Sequence, residues 1–588
     1  LSVSDREQRS IEQTRELVAR AAAAQRRFAA FTQEQVDAVV RACAEAAATA
    51  AEPLARLAVE ETGFGNVPDK IIKNRLASLE VHQAIRPLRT VGILREDREK
   101  RILEVAVPVG VVAAIIPSTN PTSTAIYKTL IAVKARNAIV HSPHPAAVRC
   151  IGEAVRIMAE AAARVGAPEG LIACLEHPTM AATQELMRHR DVGVILATGG
   201  AGLVRAAYSS GKPAYGVGPG NVPAFIERTA DLPKAIADIF AGKTFDYGTI
   251  CSAEQSIVVE DVIREQALAE CRRQGAYFLS PEEAQRVGEL VIQRPAYTPN
   301  PKIVGRPATH IAELAGLRVP SGTRVLIALL SPEQVGREHP LSLEKLSPVL
   351  AFYSVPGLGA AIELCTRILQ HGGMGHTIAI HSKDEAVVRQ FGQAVPAFRV
   401  CVNTSAVHGS IGYSTNLFPA MTLGCGALGG NITSDNIGPQ HLMNIQRIAW
   451  ESRPVEHRTV PAEFRLVAHP GAAAAHAAAT PPAPPPTAQP VPAAVAEPVS
   501  RELIARLVER VFAERGIRRG AAAPAPPPAS VTSVPPQPAA EIADFVSEAD
   551  VRAALLRQQK ICIGPKTILT PAARDLGLAN QVFIETAR

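Results

Sequence analysis

The 588-residue chain is expected to form an α/β fold: parallel, doubly wound sheets followed by a long, largely disordered Ala/Pro-rich tail with short helices. Three observations lead there. From Ile102 onward, apolar β-branched runs alternate with helical patterns at the spacing of strand–turn–helix units. Glycine-rich turns sit where strands hand over to helices. Beyond Glu451 the composition shifts abruptly to Ala and Pro.

Length alone suggests two to four domains. The hydrophobic share of 47% is that of a globular protein, and no apolar run approaches the ~20 residues of a membrane span. The first residues, with Asp5, Arg6, Glu7, Arg9 and Glu12 close together, lack the apolar stretch of a secretory leader. Nine cysteines without CxxC or Cys/His ligand spacing argue against a disulfide framework and a structural metal. The expectation is a reducing, cytoplasmic setting. A formal charge of +6, no Lys/Arg run and 4% aromatics argue against nucleic-acid binding.

Residues 1 to about 95 carry helical patterning, with Ala42–Ala51 a strong helix former. Thr62–Asn66, rich in Gly, punctuates it. Ile102–Val107 and Gly110–Ile116, split by Pro108, read as strands of a buried sheet. The polar turn Pro117–Ser123 opens a helix through Ala125–Ala135. Strand Asn137–His141 and helix Ala147–Val165 follow. Strand Val192–Ala197 then leads through Thr198–Gly199–Gly200–Ala201–Gly202 into helix Leu203–Ser209. That GGxG is not the full dinucleotide fingerprint, and by itself it is equally a tight turn. A second glycine cluster, Gly216–Asn221, precedes strand Val222–Ile226 and is open to the same plain reading.

A helix over Asp231–Lys243 places Ala235, Ile236, Ile239 and Phe240 on one face. It gives way to a turn at Tyr247–Gly248–Thr249, then Cys251, then the strand Ser256–Val259. A thiol on a short loop between helix and strand is placed to act as a nucleophile, though lone cysteines are mostly small buried hydrophobes. A second α/β set runs to about residue 430. It includes helix Pro281–Leu290, strand Arg324–Leu330, the stretch Glu344–Val349, helix Ala360–Gln370, the loop Gly372–Thr377, strands Ile378–His381 and Val400–Asn403, and the glycine-rich Leu423–Gly430.

The strings IIPSTNPTSTAIYKTL, ARNAIVHSPHP, ILATGGAGLVRAAYSSGKPAYGVGPGN, KTFDYGTICSAEQ, EKLSPVLA, GGMGHT and LGCGALGGN occur in order over some three-quarters of the chain. In these, residues 1 to about 450 closely resemble the CoA-acylating aldehyde dehydrogenases. The group includes the aldehyde half of bifunctional aldehyde/alcohol dehydrogenases and the enzymes of bacterial microcompartments. The resemblance implies an aldehyde dehydrogenase fold: a Rossmann-like cofactor domain, an α/β catalytic domain, and a small β oligomerisation element that makes a homo-oligomer. The expected divisions are 1–240 for the N-terminal helices and cofactor domain (oligomerisation strands near 101–110), 241–430 for the catalytic domain, and 431–455 for a return toward the first.

The resemblance also assigns roles. Cys251 matches the nucleophile, whose thiolate must be reached by a pKa brought below the free value of ~8.5. The side chain of Asn120 and the N–H of Cys251 match the oxyanion hole. Pro117, Ser118, Thr198, Gly199, Gly200, Gly202, Gly216 and Gly218 match cofactor-facing loops, and Glu344 matches the residue that holds the nicotinamide ribose of NAD. His141 stands near the expected adenosine ribose and is read either as a cofactor contact or as a structural histidine. Cys425 is read as packing, and Gly372–Thr377 as bordering a channel shared by NAD and CoA.

Hydrolytic relatives carry a general-base Glu followed by Leu-Gly-Gly where this chain reads Gly216–Val217–Gly218–Pro219. Without that carboxylate, water is poorly activated and an acyl-Cys251 thioester waits for a thiol. The expected activity is therefore conversion of a short aliphatic aldehyde and CoA to acyl-CoA, with propionaldehyde ahead of acetaldehyde. Two alternatives stand beside it. In one, His376 or His408 supplies the base and the enzyme is hydrolytic; in the other, the protein is a non-catalytic scaffold.

The tail reads as an Ala/Pro linker (456–498), an amphipathic helix (499–516), a second linker (517–540) and a small docking segment (541–588) with a helix over Glu548–Gln558 and an apolar stretch Ile561–Leu569. On the short helix, Ile504, Leu507, Val508, Val511 and Phe512 form one stripe, so it needs a surface to lie on. The layout resembles the encapsulation peptides of microcompartment enzymes. It implies a shell protein or neighbouring enzyme as partner and residence in a microcompartment lumen, with no membrane insertion.

Overall fold

The computed structural model describes residues 5–453 and most of 543–585. The linkers and the amphipathic stretch 499–516 lie outside the described residues. The chain divides into two compact units, Leu1–Thr459 and Val460–Arg588.

The first unit opens with helices Asp5–Phe28, Gln33–Thr49, Ala51–Thr62 and Val67–Arg75. Thr32 and Gln35 close a capping box at the start of the second, and Asn66 caps the fourth through the N–H of Asp69. Strands β1 (Gly92–Asp97), β2 (Ile102–Pro108) and β17 (Met443–Ala449) form a separate antiparallel three-stranded sheet in the order β1-β2-β17. The buried-sheet expectation for Ile102–Val107 is therefore corrected. That strand is the centre of a ribbon whose residues stay mostly half-buried, because its apolar run has no helical layer on both sides.

Five parallel strands make the first α/β sheet: β3 (Val111–Ile116), β4 (Ala138–Pro143), β5 (Ile172–Cys174), β6 (Val192–Thr198) and β7 (Ala214–Val217). Their order is β5-β4-β3-β6-β7, so the winding reverses between β3 and β6. Ligands of open α/β sheets bind outside the carboxyl ends of strands at such a switch point. Pro117 follows β3 there, and Thr198 ends β6.

The second sheet has seven parallel strands: β8 (Val222–Ile226), β9 (Glu254–Glu260), β10 (Ala276–Phe278), β13 (Val325–Leu329), β14 (Val349–Val355), β15 (Gly375–His381) and β16 (Ala397–Val402). Their order is β10-β13-β14-β9-β8-β15-β16. A two-residue hairpin, β11 (Ile292–Gln293) with β12 (Thr298–Pro299), lies apart from it. The chain thus crosses between sheets at Gly218–Asn221, earlier than the boundary expected at 240. The Gly/Pro run, not the following helix, makes the crossing. Gly375–Thr377, expected in a loop, opens strand β15 instead.

In the second unit, helix Glu548–Leu556 starts in a capping box made by Ser547 and Asp550. The apolar stretch after it splits into β19 (Ile561–Ile563) and β20 (Ile568–Leu569), which pair in parallel with β21 (Phe583–Glu585) and β18 (Phe545–Val546) respectively. Val546, Val551, Ala554, Ile563, Ala573 and Val582 form its core. Among the described residues, no helix is long and apolar enough to cross a membrane.

Candidate active site

Cys251 sits on the short link between helix Leu232–Thr244 and β9. Asp231 caps that helix through the N–H of Lys234, and Pro233 occupies its first turn. A tight turn at Phe245–Gly248 then reverses the chain, with Asp246 and Tyr247 both at positive φ (48° and 53°). Two such residues in succession need outside support. Asp246 has it: its carboxylate is buried and accepts from Lys70 Nζ at 2.9 Å, from Lys73 Nζ, from Thr249 Oγ1 at 2.8 Å and from the Asn66 N–H at 2.8 Å. Burial opposes ionisation of Asp246, but the two ammoniums prevail and hold its pKa down to about 2.

The same cluster reaches Asn120, which heads helix Pro121–Lys134 at the mouth of β3. Lys73 Nζ donates to Asn120 Oδ1 at 2.7 Å. An ammonium only donates, so the amide must face it with oxygen and present Nδ2 the other way. Nδ2 donates to the carbonyl of Thr249, two residues before Cys251, at 3.2 Å. Nδ2 also donates to Thr119 Oγ1 at 3.2 Å, so the amide is held against the backbone two residues before Cys251.

Cys251 Sγ lies 3.2 Å from His376 Nε2, and His376 Nδ1 lies 2.9 Å from Thr377 Oγ1. His376 is wholly buried. Burial, and secondly Arg399, lower its pKa to about 3, so the ring is neutral. His408 instead packs edge-on to Phe245 and bonds Ser405. The expectation of a depressed thiol pKa is not met in the free protein. Burial pushes the Cys251 thiol up to about 12, with Glu344 and Cys425 adding to the rise and Arg399 opposing it. Cys425 is buried, its N–H held by Asn431 Oδ1 at 2.8 Å.

Glu344 Oε1 accepts from the Gly220 N–H at 3.1 Å. A Cβ on Gly220 would stand 2.2 Å from the Cys251 carbonyl oxygen and 3.2 Å from His376 Cδ2. Only glycine lets the crossing loop lie against the cysteine. Backbone therefore occupies the place next to Cys251 where a loop side chain would otherwise reach in.

At the switch point, Thr198 Oγ1 is buried without a partner among the described residues. Helix Ala201–Tyr208 begins at Gly200 with no side-chain cap. Open space faces the Cβ directions of Gly200, Gly202 and Gly218. Uncapped N–H groups, an orphan hydroxyl and bare backbone together fit a dinucleotide diphosphate. Gly199 and Gly216 differ: a Cβ at Gly199 would meet Leu203 at 2.7 Å, and one at Gly216 would meet Val204 at 2.7 Å and the Tyr208 ring at 3.0 Å. Gly216 is also bonded through both backbone groups to the Tyr208 hydroxyl. Its assignment as cofactor-facing is corrected to helix–strand packing. The cofactor assignment of His141 is corrected too. Its ring is fully buried within the sheet layer, 3.1 Å from Thr129 Oγ1 and 3.0 Å from the Ala173 carbonyl, so both nitrogens are taken.

Sequence reading missed Lys70, Lys73, Asp246 and Arg399. The signal available was two lysines at helical i, i+3 spacing, which reads as a solvated face until the partner carboxylate, 173 residues along the chain from Lys73, is placed against it. Two clefts of about 630 and 620 Å³ flank helix Pro281–Val291 without including Cys251, so concavity alone points elsewhere.

Cys251, the Asn120 amide and a switch point suited to a dinucleotide thus lie within the one unit Leu1–Thr459. The aldehyde dehydrogenase family matches residues 3–278. An acetylating aldehyde dehydrogenase from Geobacillus thermoglucosidasius is 52% identical with a TM-score of 0.76, covering 78% of this chain and 100% of that one. The chain belongs to the aldehyde dehydrogenase family. The bifunctional aldehyde-alcohol dehydrogenase AdhE of Escherichia coli is 45% identical over 438 residues, covering 74% of this chain and 49% of that protein. The chain thus spans about half the length of this curated relative. A propionaldehyde dehydrogenase from Rhodopseudomonas palustris, solved with bound propionyl-CoA, is 28% identical with a TM-score of 0.67, covering 74% of this chain and 94% of that one.

Proposed function

We propose that the protein is a CoA-acylating aldehyde dehydrogenase that oxidises a short aliphatic aldehyde on Cys251 and passes the acyl group to coenzyme A. The carrying observation is the crossing loop. Gly218–Pro219–Gly220 lays bare backbone against Cys251, with the Gly220 N–H committed to Glu344. The crossing loop carries no carboxylate of its own to activate water, and Glu344 is engaged by the Gly220 N–H, so a thioester outlives the oxidation and a thiol collects it.

The sulfur attacks the aldehyde carbon and forms a thiohemiacetal. Asn120 Nδ2, aimed by Lys73, and the Cys251 N–H receive the oxyanion, and one such donor is worth about 2.7–4 kcal/mol of barrier. The nicotinamide, when bound, supplies the hydride acceptor. Pro117, Ser118, Thr198, Gly199, Gly200, Gly202 and Gly218 would hold it, and Glu344 would hold its ribose. Collapse of the adduct leaves an acyl-Cys251 thioester. The CoA thiol then displaces Cys251, returning the free sulfur.

NAD is the assigned cofactor, by family habit. Among aldehydes, the microcompartment-like tail favours propionaldehyde, while the 52% identity to an acetylating enzyme supports acetaldehyde beside it. The protein works as a homo-oligomer, and residues 499–516 bring it to a shell protein or neighbouring enzyme inside a microcompartment lumen. Initial rates with acetaldehyde, propionaldehyde and butyraldehyde, each with NAD or NADP and with or without CoA, test the whole reading. NADH should form only when all three reactants are present, and Cys251→Ala should cut the rate at least about 10³-fold. NADH with free acid and no CoA would instead establish the hydrolytic alternative. Undiminished turnover in the Ala variant would overturn the role of Cys251, and no turnover with any combination of reactants would leave only the scaffold.

A further inference from the structure

We propose that Arg399 is a positioning residue for the thiol: through Thr377 it sets the tautomer of His376 so that the ring presents an N–H, not a lone pair, to Cys251 Sγ. The inference rests on the reading of Cys251 as nucleophile and deepens it.

Arg399 lies on β16 directly across from Thr377 on β15 in the parallel register, and its side chain is only 3% exposed. All five of its N–H groups are engaged. Nε donates to Thr377 Oγ1 at 3.4 Å, Nη1 to the Ser434 carbonyl at 3.0 Å and Asn436 Oδ1 at 3.4 Å, and Nη2 to the carbonyls of Gly375 at 3.2 Å and Gly424 at 2.5 Å. Every acceptor is neutral. Among the described residues no carboxylate is bonded to the guanidinium, so its charge acts on its surroundings.

A guanidinium cannot accept, so Thr377 Oγ1 is the acceptor in that bond. Among the described residues, its own hydroxyl proton has one partner, His376 Nδ1 at 2.9 Å. Thr377 is wholly buried, so leaving that proton unpartnered would be costly; we take Nδ1 as the acceptor nitrogen of a neutral ring and Nε2, 3.2 Å from Sγ, as the nitrogen that carries the proton. An N–H aimed at sulfur favours the thiolate, whereas a lone pair aimed there would favour the thiol. His376 then acts as a hydrogen-bond donor to S⁻ and not as the proton acceptor. The thiol proton leaves to solvent, and no imidazolium forms. Other groups face the same site. Glu344 and Cys425 oppose ionisation of Cys251, while Cys425, Cys251, Cys401 and Asp435 act on Arg399.

The test is the pH dependence of iodoacetamide alkylation at Cys251 in the full chain, followed by mass spectrometry of its peptide. Thr377→Val removes the hydroxyl and should slow alkylation roughly tenfold at each pH between about 7 and 9, the equivalent of one pH unit in the thiol's ionisation. Thr377→Ser restores the hydroxyl and should restore the wild-type profile. Arg399→Met should shift the profile in the same direction as Thr377→Val. A wild-type alkylation rate in Thr377→Val overturns the proposal. So does a Thr377→Ser variant as impaired as the Val variant, because packing would then explain both. Alkylation is read without turnover. A shift seen here alongside full activity of Cys251→Ala would therefore sink the assigned function and leave this inference intact.

Discussion

Glu344 shows how a single buried group ties the site to the stability of the chain. Burial raises its pKa to about 7, while the Gly220 N–H, Lys243 and Lys345 pull it back toward the ionised form. Between the ordinary carboxyl value of 4.5 and about 7, the folded chain keeps a proton that the unfolded chain has lost. The unfolded state then binds fewer protons, so this group makes stability fall as pH rises through that window. Glu344→Gln, neutral throughout, should flatten that slope in urea unfolding compared at about pH 5 and about pH 8. An unchanged slope would place the titration elsewhere. At this scale Cys251, Asn120 and Glu344 were legible as motif residues. His376 was named only as a possible base for water, and its contact with sulfur came from the fold. Arg399 and Lys73 were illegible, because a charged residue's burial is invisible in one dimension.

Two turns position the chemistry, and each yields a test. Gly220→Ala puts a Cβ 2.2 Å from the Cys251 carbonyl, so the crossing loop or the cysteine must move. The expected result is a large loss of kcat with a stability cost of about 1–3 kcal/mol. Wild-type turnover would show that the loop has slack. Asp246→Asn separates charge from conformation, since Asn tolerates positive φ as Asp does. It leaves the buried Lys70 and Lys73 without their carboxylate and should destabilise the fold by about 3–5 kcal/mol, visible as a lower Tm. A Tm within a degree of wild type would mean the ammoniums find other partners. Strand–turn–helix alternation was readable because burial on both faces leaves continuous β-branched runs, as in β3 and β9. The crossing at Gly218–Asn221 is not legible in the sequence, because a sheet change leaves no mark on periodicity.

At the scale of the molecule, the cores of the two described units draw on separate residues. Every catalytic assignment falls within 5–453, and the core of 543–585 is built from its own six buried side chains. A chain ending at residue 453 should therefore keep its NADH-forming rate per protomer, measured against full-length protein with all reactants saturating. A fall of tenfold or more would assign the tail a part in turnover instead of in placement.

By itself the sequence determined the α/β class, the order of its strands and helices along the chain, and a cysteine loop with its neighbouring motif residues. Those follow from local rules: period, turn chemistry and residue type within a short window. The tertiary structure alone decided which charges meet. Lys73 reaches Asn120 and Asp246, and Arg399 reaches His376 through Thr377, only because sheets and helices fold distant segments together. Electrostatic partnership depends on distance in space and on desolvation, and neither is written in the spacing of residues along the chain.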